Sequence, residues 1–255
     1  MIEQGEVNKS IENGIGTIEF FHPKSNSLPS VMLKEIAASI KEFGNDKNVK
    51  VIVIKSKGEK AFCAGAFFDE LIDIADLESG KEFFMGFARI INEMRKAPQF
   101  IITRIQGKTV GGGVGIAAAS DYAIALKSAS IKLSELALGI GPFVVGPAVE
   151  RKIGKGPFTA LSTDYEWRTA AWAERYGLFT ELHDNINELD NSVNQLAVKL
   201  SKLSFEAMEK LKRVHWEGTE DWDNLLEKRA EISGELVLSD YTKKYLKEFL
   251  NSRKD

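Results

Sequence analysis

The sequence predicts an α/β fold with parallel strands, and three observations carry that reading. Short apolar runs rich in β-branched residues recur along the first half of the chain. Segments of helical period separate them, and neither an internal repeat nor a Pro/Gly/Ser linker interrupts the series. Strands that alternate with helices pair in parallel, and a parallel strand covered on both faces is apolar throughout.

In chain order, the first strand is expected over residues 12–21, where Thr17-Ile18-Glu19-Phe20-Phe21 runs into a stop at His22-Pro23. Met32, Ile36, Ile40 and Phe43 then recur at helical spacing, and Ser30 stands where an N-cap belongs. Val49 to Ile54 is too short and too uniformly apolar for a surface helix, so it reads as a buried strand. A helix is expected from Gly80 to Lys96, with Phe83, Phe84, Phe87, Ile90, Ile91 and Met94 on its apolar side. Phe100–Ile105 and Tyr122–Leu126 read as further buried strands. Between them, the small residues of Gly112–Ser120 suit a short helix packed tightly on a sheet. Beyond about Ser201 only helical pattern remains, interrupted by Gly218 and Gly234 and restarted at Ser239-Asp240. Trp216, Trp222, Leu225, Leu226, Leu236, Tyr245 and Phe249 supply apolar faces there, for the chain's own core or for a neighbouring subunit. The organisation expected is thus an α/β core over residues 1–200 and a helical region over 201–255.

Composition excludes several classes of function. With 255 residues the chain can bury a full core, and 34 Lys plus Arg against 37 Asp plus Glu leave a net charge of −3. That balance advertises neither nucleic acid nor a membrane surface as partner. No stretch approaches the roughly 18–20 apolar residues of a membrane span. Met1 to Ser10 is polar and mixed in charge, unlike a secretory signal, and a cytoplasmic location is expected. One cysteine, Cys63, rules out an internal disulfide and any multi-cysteine zinc site; it reads as a small buried thiol. His22, His183 and His215 lie far apart and lack metal-ligand spacing, so no metal is expected. Nucleophile-elbow, Walker and zincin motifs are absent.

The densest local feature is Gly111-Gly112-Gly113-Val114-Gly115. Gly113, Gly115 and Ala118 fit a dinucleotide fingerprint on paper, but only about two helical turns precede the next strand. The acidic residue that fingerprint needs after its second strand is replaced by Leu126-Lys127. A different use of glycine fits better. Glycines at a loop-to-helix junction expose backbone N–H groups where the helix dipole favours negative charge. A second small-residue turn, Phe62-Cys63-Ala64-Gly65-Ala66, follows the Val49–Ile54 strand. Two such turns aiming one N–H each at one oxygen would make an oxyanion hole; equally, both could be tight turns that serve packing alone.

Taken together these segments resemble the crotonase, or enoyl-CoA hydratase/isomerase, superfamily over nearly the whole chain. The resemblance starts at His22-Pro23-Lys24-Ser25-Asn26-Ser27-Leu28, with His22 in place of the family's usual Asn. It continues through Lys60–Ala66, Gly107, Gly111–Gly113 with Asp121, and Ser134-Glu135-Leu136-Ala137-Leu138-Gly139-Ile140. Ala170, Ala173 and Gly177-Leu178 close it. It implies a spiral of ββα units with a C-terminal helical region, a homotrimer or dimer of trimers, and an acyl-CoA substrate whose CoA is no separate cofactor.

Carried over residue by residue, the N–H groups of Ala66 and Gly112 would bind the thioester oxygen and stabilise an enolate. Lys24, Ser25, Ala64 and Gly65 would border the CoA groove, with Lys24 a candidate phosphate contact. Phe67, Phe68 and Phe143 suggest an apolar acyl pocket, Phe67 replacing the family's usual Asp after Ala66. The family's hydratases hold a water between two glutamates. One of those positions is Glu135; the other, three residues after the oxyanion glycine, is Gly115. A single glutamate suits the shift of a 3-enoyl-CoA to a 2-enoyl-CoA, in which one base removes a proton and returns it elsewhere. Hydration would need a second polar group, for which Asp69 and Glu70 are candidates. A noncatalytic acyl-CoA-binding relative, or a decarboxylase or hydrolase of a CoA ester, also lies within the family's range.

Overall fold

A computed structural model describes residues 5–251, with the side chains of the last helix described as far as Glu248. Met1–Gln4 and the Phe249 side chain, both considered above, lie outside the described residues. The chain opens with β1 (Glu6–Glu12) and β2 (Ile15–Phe21), paired antiparallel from Glu6 opposite Phe21 to Glu12 opposite Ile15. Their two-residue turn is Asn13-Gly14, with φ of 51° and 81°, the left-handed pair that matches strand twist. The single strand expected over 12–21 is therefore a hairpin turn and its second strand.

α1 (Ser30–Asn45) buries Met32, Leu33, Ile36, Ile40 and Phe43 as its spacing predicts, but Pro29 is its N-cap. Ser30 is the first helical residue, and its N–H and hydroxyl both donate to Glu70 Oε2, at 2.9 and 2.6 Å. Next come β3 (Val51–Ser56), β4 (Ala61–Cys63), α2 (Phe68–Ile72) and α3 (Leu77–Lys96). α3 begins at Leu77 rather than Gly80 because Asp76 and Ser79 form a capping box ahead of it. β5 (Phe100–Ile105), β6 (Lys108–Val110), α4 (Gly112–Ala119), β7 (Tyr122–Leu126) and β8 (Ser130–Lys132) follow. The rest is mostly helical: α5 (Gly146–Ile153), α6 (Lys155–Thr163), β9 (Arg168–Thr169), α7 (Ala170–Arg175) and β10 (Glu181–His183). α8 (Ile186–Ser201), α9 (Phe205–His215), α10 (Trp222–Val237) and α11 (Asp240–Asn251) complete it.

The strands form two sheets, ordered β1-β2-β3-β5-β7-β10 and β4-β6-β8-β9, with parallel pairing except at β1/β2 and β8/β9. This is the α/β architecture the sequence predicts. Alternate residues of the larger sheet face opposite layers. Ile52, Ile54, Ile101 and Ile105 join α1, α3 and α4 in the main core. Val51, Val53, Ile102 and Ile124 meet Leu189, Val193 and Ala197 of α8 on the other face.

The tail packs on its own chain. Trp216, Trp222, Leu226 and Ala230 belong to the main core. α9 is tied down by the buried Lys212, whose Nζ lies 3.0 Å from Asp121 Oδ2 and donates to the Gln99 carbonyl at 2.6 Å. Burial drives the Lys212 pKa down, and the Asp121 carboxylate opposes that fall. Gly234 does not interrupt the helical pattern: it lies inside α10, where a Cβ would stand 2.6 Å from the Lys81 nitrogen of α3. Its missing side chain lets two helices touch backbone to backbone. Among the described residues, no helix is long and apolar enough to cross a membrane.

Candidate active site

The smaller sheet assembles the site. β4 and β6 pair in parallel, with Ala61 opposite Lys108 and Cys63 opposite Thr109; β6 and β8 pair with Val110 opposite Lys132. Parallel neighbours end at one edge, so the segments that leave them emerge side by side. Those segments carry Ala64–Ala66, Gly111–Gly112 and Glu135.

Each turn is shaped by a glycine that no other residue replaces. Gly65 has φ of 84°, and its carbonyl accepts from the Leu28 N–H at 2.8 Å. A Cβ there would lie 3.0 Å from the Val110 carbonyl oxygen and 3.7 Å from the Gly112 nitrogen, so the two turns are in contact. At Gly112 a Cβ would fall 1.9 Å from Cε1 of Phe87, which leaves no room for any side chain. Gly112 opens α4, where an N–H has no partner within its own helix. The neighbouring loop 22–28 is held by the buried Asn26. Its Oδ1 accepts from the His22 N–H at 2.8 Å, and its Nδ2 donates to the carbonyls of Lys57 and Ala61, both at 2.9 Å.

Glu135 follows β8 in a loop folded back on itself: the N–H groups of Leu138 and Ile140 donate to the Glu135 carbonyl at 3.1 and 3.0 Å. Its carboxyl lies against Gly111, where a Cβ would come within 3.0 Å of Oε1. Oε2 is buried without a hydrogen-bond partner among the described residues. Burial pushes the Glu135 pKa up to about 7, partly offset by the backbone N–H groups of Ser134 and Glu135. A carboxyl in that range gives and takes protons near neutrality.

These groups line a cavity of about 60 Å³. Part of the lining is the backbone of Ala64, Gly65, Ala66, Gly111 and Gly112; the rest is mostly apolar, with Phe68, Phe84, Phe87, Ile140 and Phe143 prominent, and includes Ser134 and Ser233. Among the described residues, Glu135 is the one ionisable residue in the lining. The cavity adjoins an open groove of about 730 Å³, with which it shares Ala64, Ala66, Phe68 and Val110. Lys24, Ser25 and Phe67 line that groove, together with Lys60, Lys108 and Trp167. Sequence reasoning missed the last three. The register of β4 on β6 brings Lys60 and Lys108 together, and the Lys108 Nζ sits 5.3 Å from the centre of the Trp167 ring.

Several expectations change at this point. Phe67 parts from Phe68: its ring packs edge-on against His22, 5.0 Å between centres, and lies outside the small cavity. Asp69 pairs with Lys24, and Glu70 is held by Ser30, so neither supplies the cavity with a second carboxylate. The Gly115 position is filled as well as empty of charge, since a Cβ there would lie 2.6 Å from Cγ1 of Val145. Cys63 is buried, and burial drives its thiol up to about 12, where it is no nucleophile.

The family model described as enoyl-CoA hydratase/isomerase matches residues 10–255. A short-chain-enoyl-CoA hydratase of Clostridium acetobutylicum is 28% identical over 246 residues, covering 95% of this chain and 94% of that protein. An enoyl-CoA hydratase structure from Bacillus halodurans superposes with a TM-score of 0.87 at 24% identity, over 95% of this chain and 99% of that one. An enoyl-CoA hydratase/isomerase structure from Xanthobacter autotrophicus Py2 gives 0.86 at 20% identity, over 98% and 93%. At such identities the two structures establish the fold alone.

Proposed function

Because the chain belongs to the enoyl-CoA hydratase/isomerase family, we propose that it shifts the double bond of a 3-enoyl-CoA to give the 2-enoyl-CoA, with Glu135 as its acid–base group. The observation that carries this reading is a cavity in which one buried carboxyl, with a pKa of about 7, faces two small-residue turns and, among the described residues, no second ionisable side chain. The thioester oxygen lies against the N–H groups of Ala66 and Gly112. The Glu135 carboxylate takes a proton from C2, and the C–H pair becomes a dienolate whose charge rests mainly on that oxygen. Fixed donors stabilise this charge more than the uncharged ester, which is where catalysis comes from. The protonated Glu135 then returns the proton to C4, leaving the double bond between C2 and C3. The nucleotide end of CoA lies in the groove of Lys24, Lys60 and Lys108. The assembly proposed is a homotrimer or dimer of trimers.

Hydration of a 2-enoyl-CoA is the second reading. It is favoured by the hydratase names of the relatives, whereas Val145 beside Gly115 favours isomerisation. Assaying purified protein against 3-enoyl- and 2-enoyl-CoA esters separates them. Turnover of the 3-enoyl ester is expected, with a loss of about 10²–10⁴ in Glu135→Gln and nearly unchanged binding. Efficient water addition to 2-enoyl-CoA with 3-enoyl-CoA left untouched would end the isomerase reading. Normal turnover by Glu135→Gln would remove Glu135 from the mechanism.

A further inference from the structure

The 60 Å³ cavity has two neighbours: it adjoins the groove of Lys24, Lys60 and Lys108, and it also adjoins a solvent-open chamber of about 720 Å³ between α5, α6 and α10. Pro142 and Phe143 line both the cavity and the chamber. The lysine groove and the chamber share no residue, so they meet the cavity at different parts of its lining, with Phe143 at the junction to the chamber.

The Phe143 ring is held in place from behind. Gly141 has φ of 93°, and a Cβ there would stand 2.8 Å from Cε2 of Phe143. The loop thus seats the ring against its own backbone. The chamber beyond is floored by Phe158, Trp222 and Leu225, while Glu150, Lys155 and Arg229 stand among its polar lining. An apolar floor behind a single ring at the edge of the reaction cavity suits a hydrocarbon chain once that ring is removed. Among the described residues the reaction cavity offers no cation to pair with a charged acyl terminus.

We propose that Phe143 is the partition that sets acyl length: it confines the enzyme to short, uncharged acyl groups and shuts them off from the α5–α6–α10 chamber. This rests on the acyl-CoA reading above. A thioester entering from the lysine-lined groove, with its carbonyl at the Ala66 and Gly112 turns, points its acyl end at this ring. Each methylene that finds buried apolar space tightens binding about fourfold, and each that finds the ring gains nothing and meets a steric block. Chain length is therefore read at one side chain.

The test is calorimetric binding of CoA, butyryl-CoA, hexanoyl-CoA and decanoyl-CoA, saturated esters that do not react. Wild type is expected to bind butyryl-CoA more tightly than CoA, and decanoyl-CoA at least tenfold more weakly than butyryl-CoA. Phe143→Ala should shift the decanoyl-to-butyryl ratio by about 10² or more toward the long chain. Phe143→Leu should shift it in the same direction by less, and it serves if the alanine variant fails to fold. Adding Leu225→Lys, a charge in the chamber alone, to either variant should cancel the gain for decanoyl-CoA. Equal binding of butyryl- and decanoyl-CoA by wild type, or an unchanged ratio in the variants, overturns the partition while the acyl-CoA reading stands. A gain that survives Leu225→Lys shows that the chain leaves by another path and overturns the role given to the chamber. Failure of every CoA ester to bind overturns the acyl-CoA reading and the partition with it.

Discussion

At the scale of single residues, the site is built from what side chains omit as much as from what they carry. Gly65, Gly111 and Gly112 bring two backbone turns and one carboxylate together, and each close approach would be lost to a Cβ. Gly115 differs, because the space beside it is occupied by Val145. Introducing Gly115→Glu alone therefore overpacks a buried helix and buries an unpaired carboxyl, and is expected to cost at least about 3 kcal/mol of stability without raising hydration. Pairing it with Val145→Gly removes both the Cγ1 at 2.6 Å and the Cβ at 2.9 Å from a residue that also lines the cavity. Hydration of 2-enoyl-CoA should rise in the double variant and not in the single one. Equal hydration by the two, measured with unfolding curves for both, would show that Val145 is no obstacle. That Glu135, Ala66 and Gly112 share one cavity was legible in the sequence because their neighbours form short contiguous motifs. Lys60, Lys108 and Trp167 were not, since strand register and a distant loop bring them to one groove.

At the scale of elements, long buried strands and long amphipathic helices were legible, while elements of two or three residues were not. β4, β6, β8 and β9 span at most three residues each, too few to show a period, and yet they form the sheet that carries the site. The Asn13-Gly14 turn signal lies inside the strand expected over 12–21, and the β1 ahead of it is polar and mostly exposed, so it shows no apolar alternation. Gly234 illustrates an ambiguity that composition cannot resolve: glycine in a helical stretch marks either a break or a close crossing. Here it is a crossing, with Gly80 of α3 as its partner, since a Cβ on Gly80 would lie 3.0 Å from the Gly234 Cα. Helix propensity alone would make Gly234→Ala stabilising by about 1 kcal/mol. The contact of 2.6 Å with the Lys81 backbone nitrogen reverses that, because two helix backbones must separate to relieve it. We expect a net loss of about 1–3 kcal/mol by urea unfolding. Turnover should fall too, because α3 presents Phe84 and Phe87 to the cavity and α10 presents Ser233. A stabilised, fully active Gly234→Ala protein would mean that the helices yield at little cost.

At the scale of the whole molecule, the buried Glu135 couples stability to activity. Its pKa is raised from 4.5 in the unfolded chain to about 7 in the fold, so the folded state holds a proton that the unfolded state has released. The stabilisation linked to that proton is complete below 4.5 and is lost as pH rises through about 7. The full interval corresponds to about 3 kcal/mol, of which about 2 kcal/mol falls between pH 5 and pH 8. Other groups titrate over the same range, so the informative quantity is the difference between wild type and Glu135→Gln, whose amide does not ionise. Glu135→Gln should gain about 2 kcal/mol relative to wild type from pH 5 to pH 8 in urea unfolding. Over the same range kcat/KM of wild type should climb to a plateau with an apparent pKa near 7, because the base works only when ionised. Opposite slopes in one pH window tie both effects to one carboxyl. A wild-type rate that levels off below pH 5, or a constant stability difference between the two proteins, would mean that Glu135 ionises as an ordinary exposed glutamate does and that the cavity is wetter than its lining suggests.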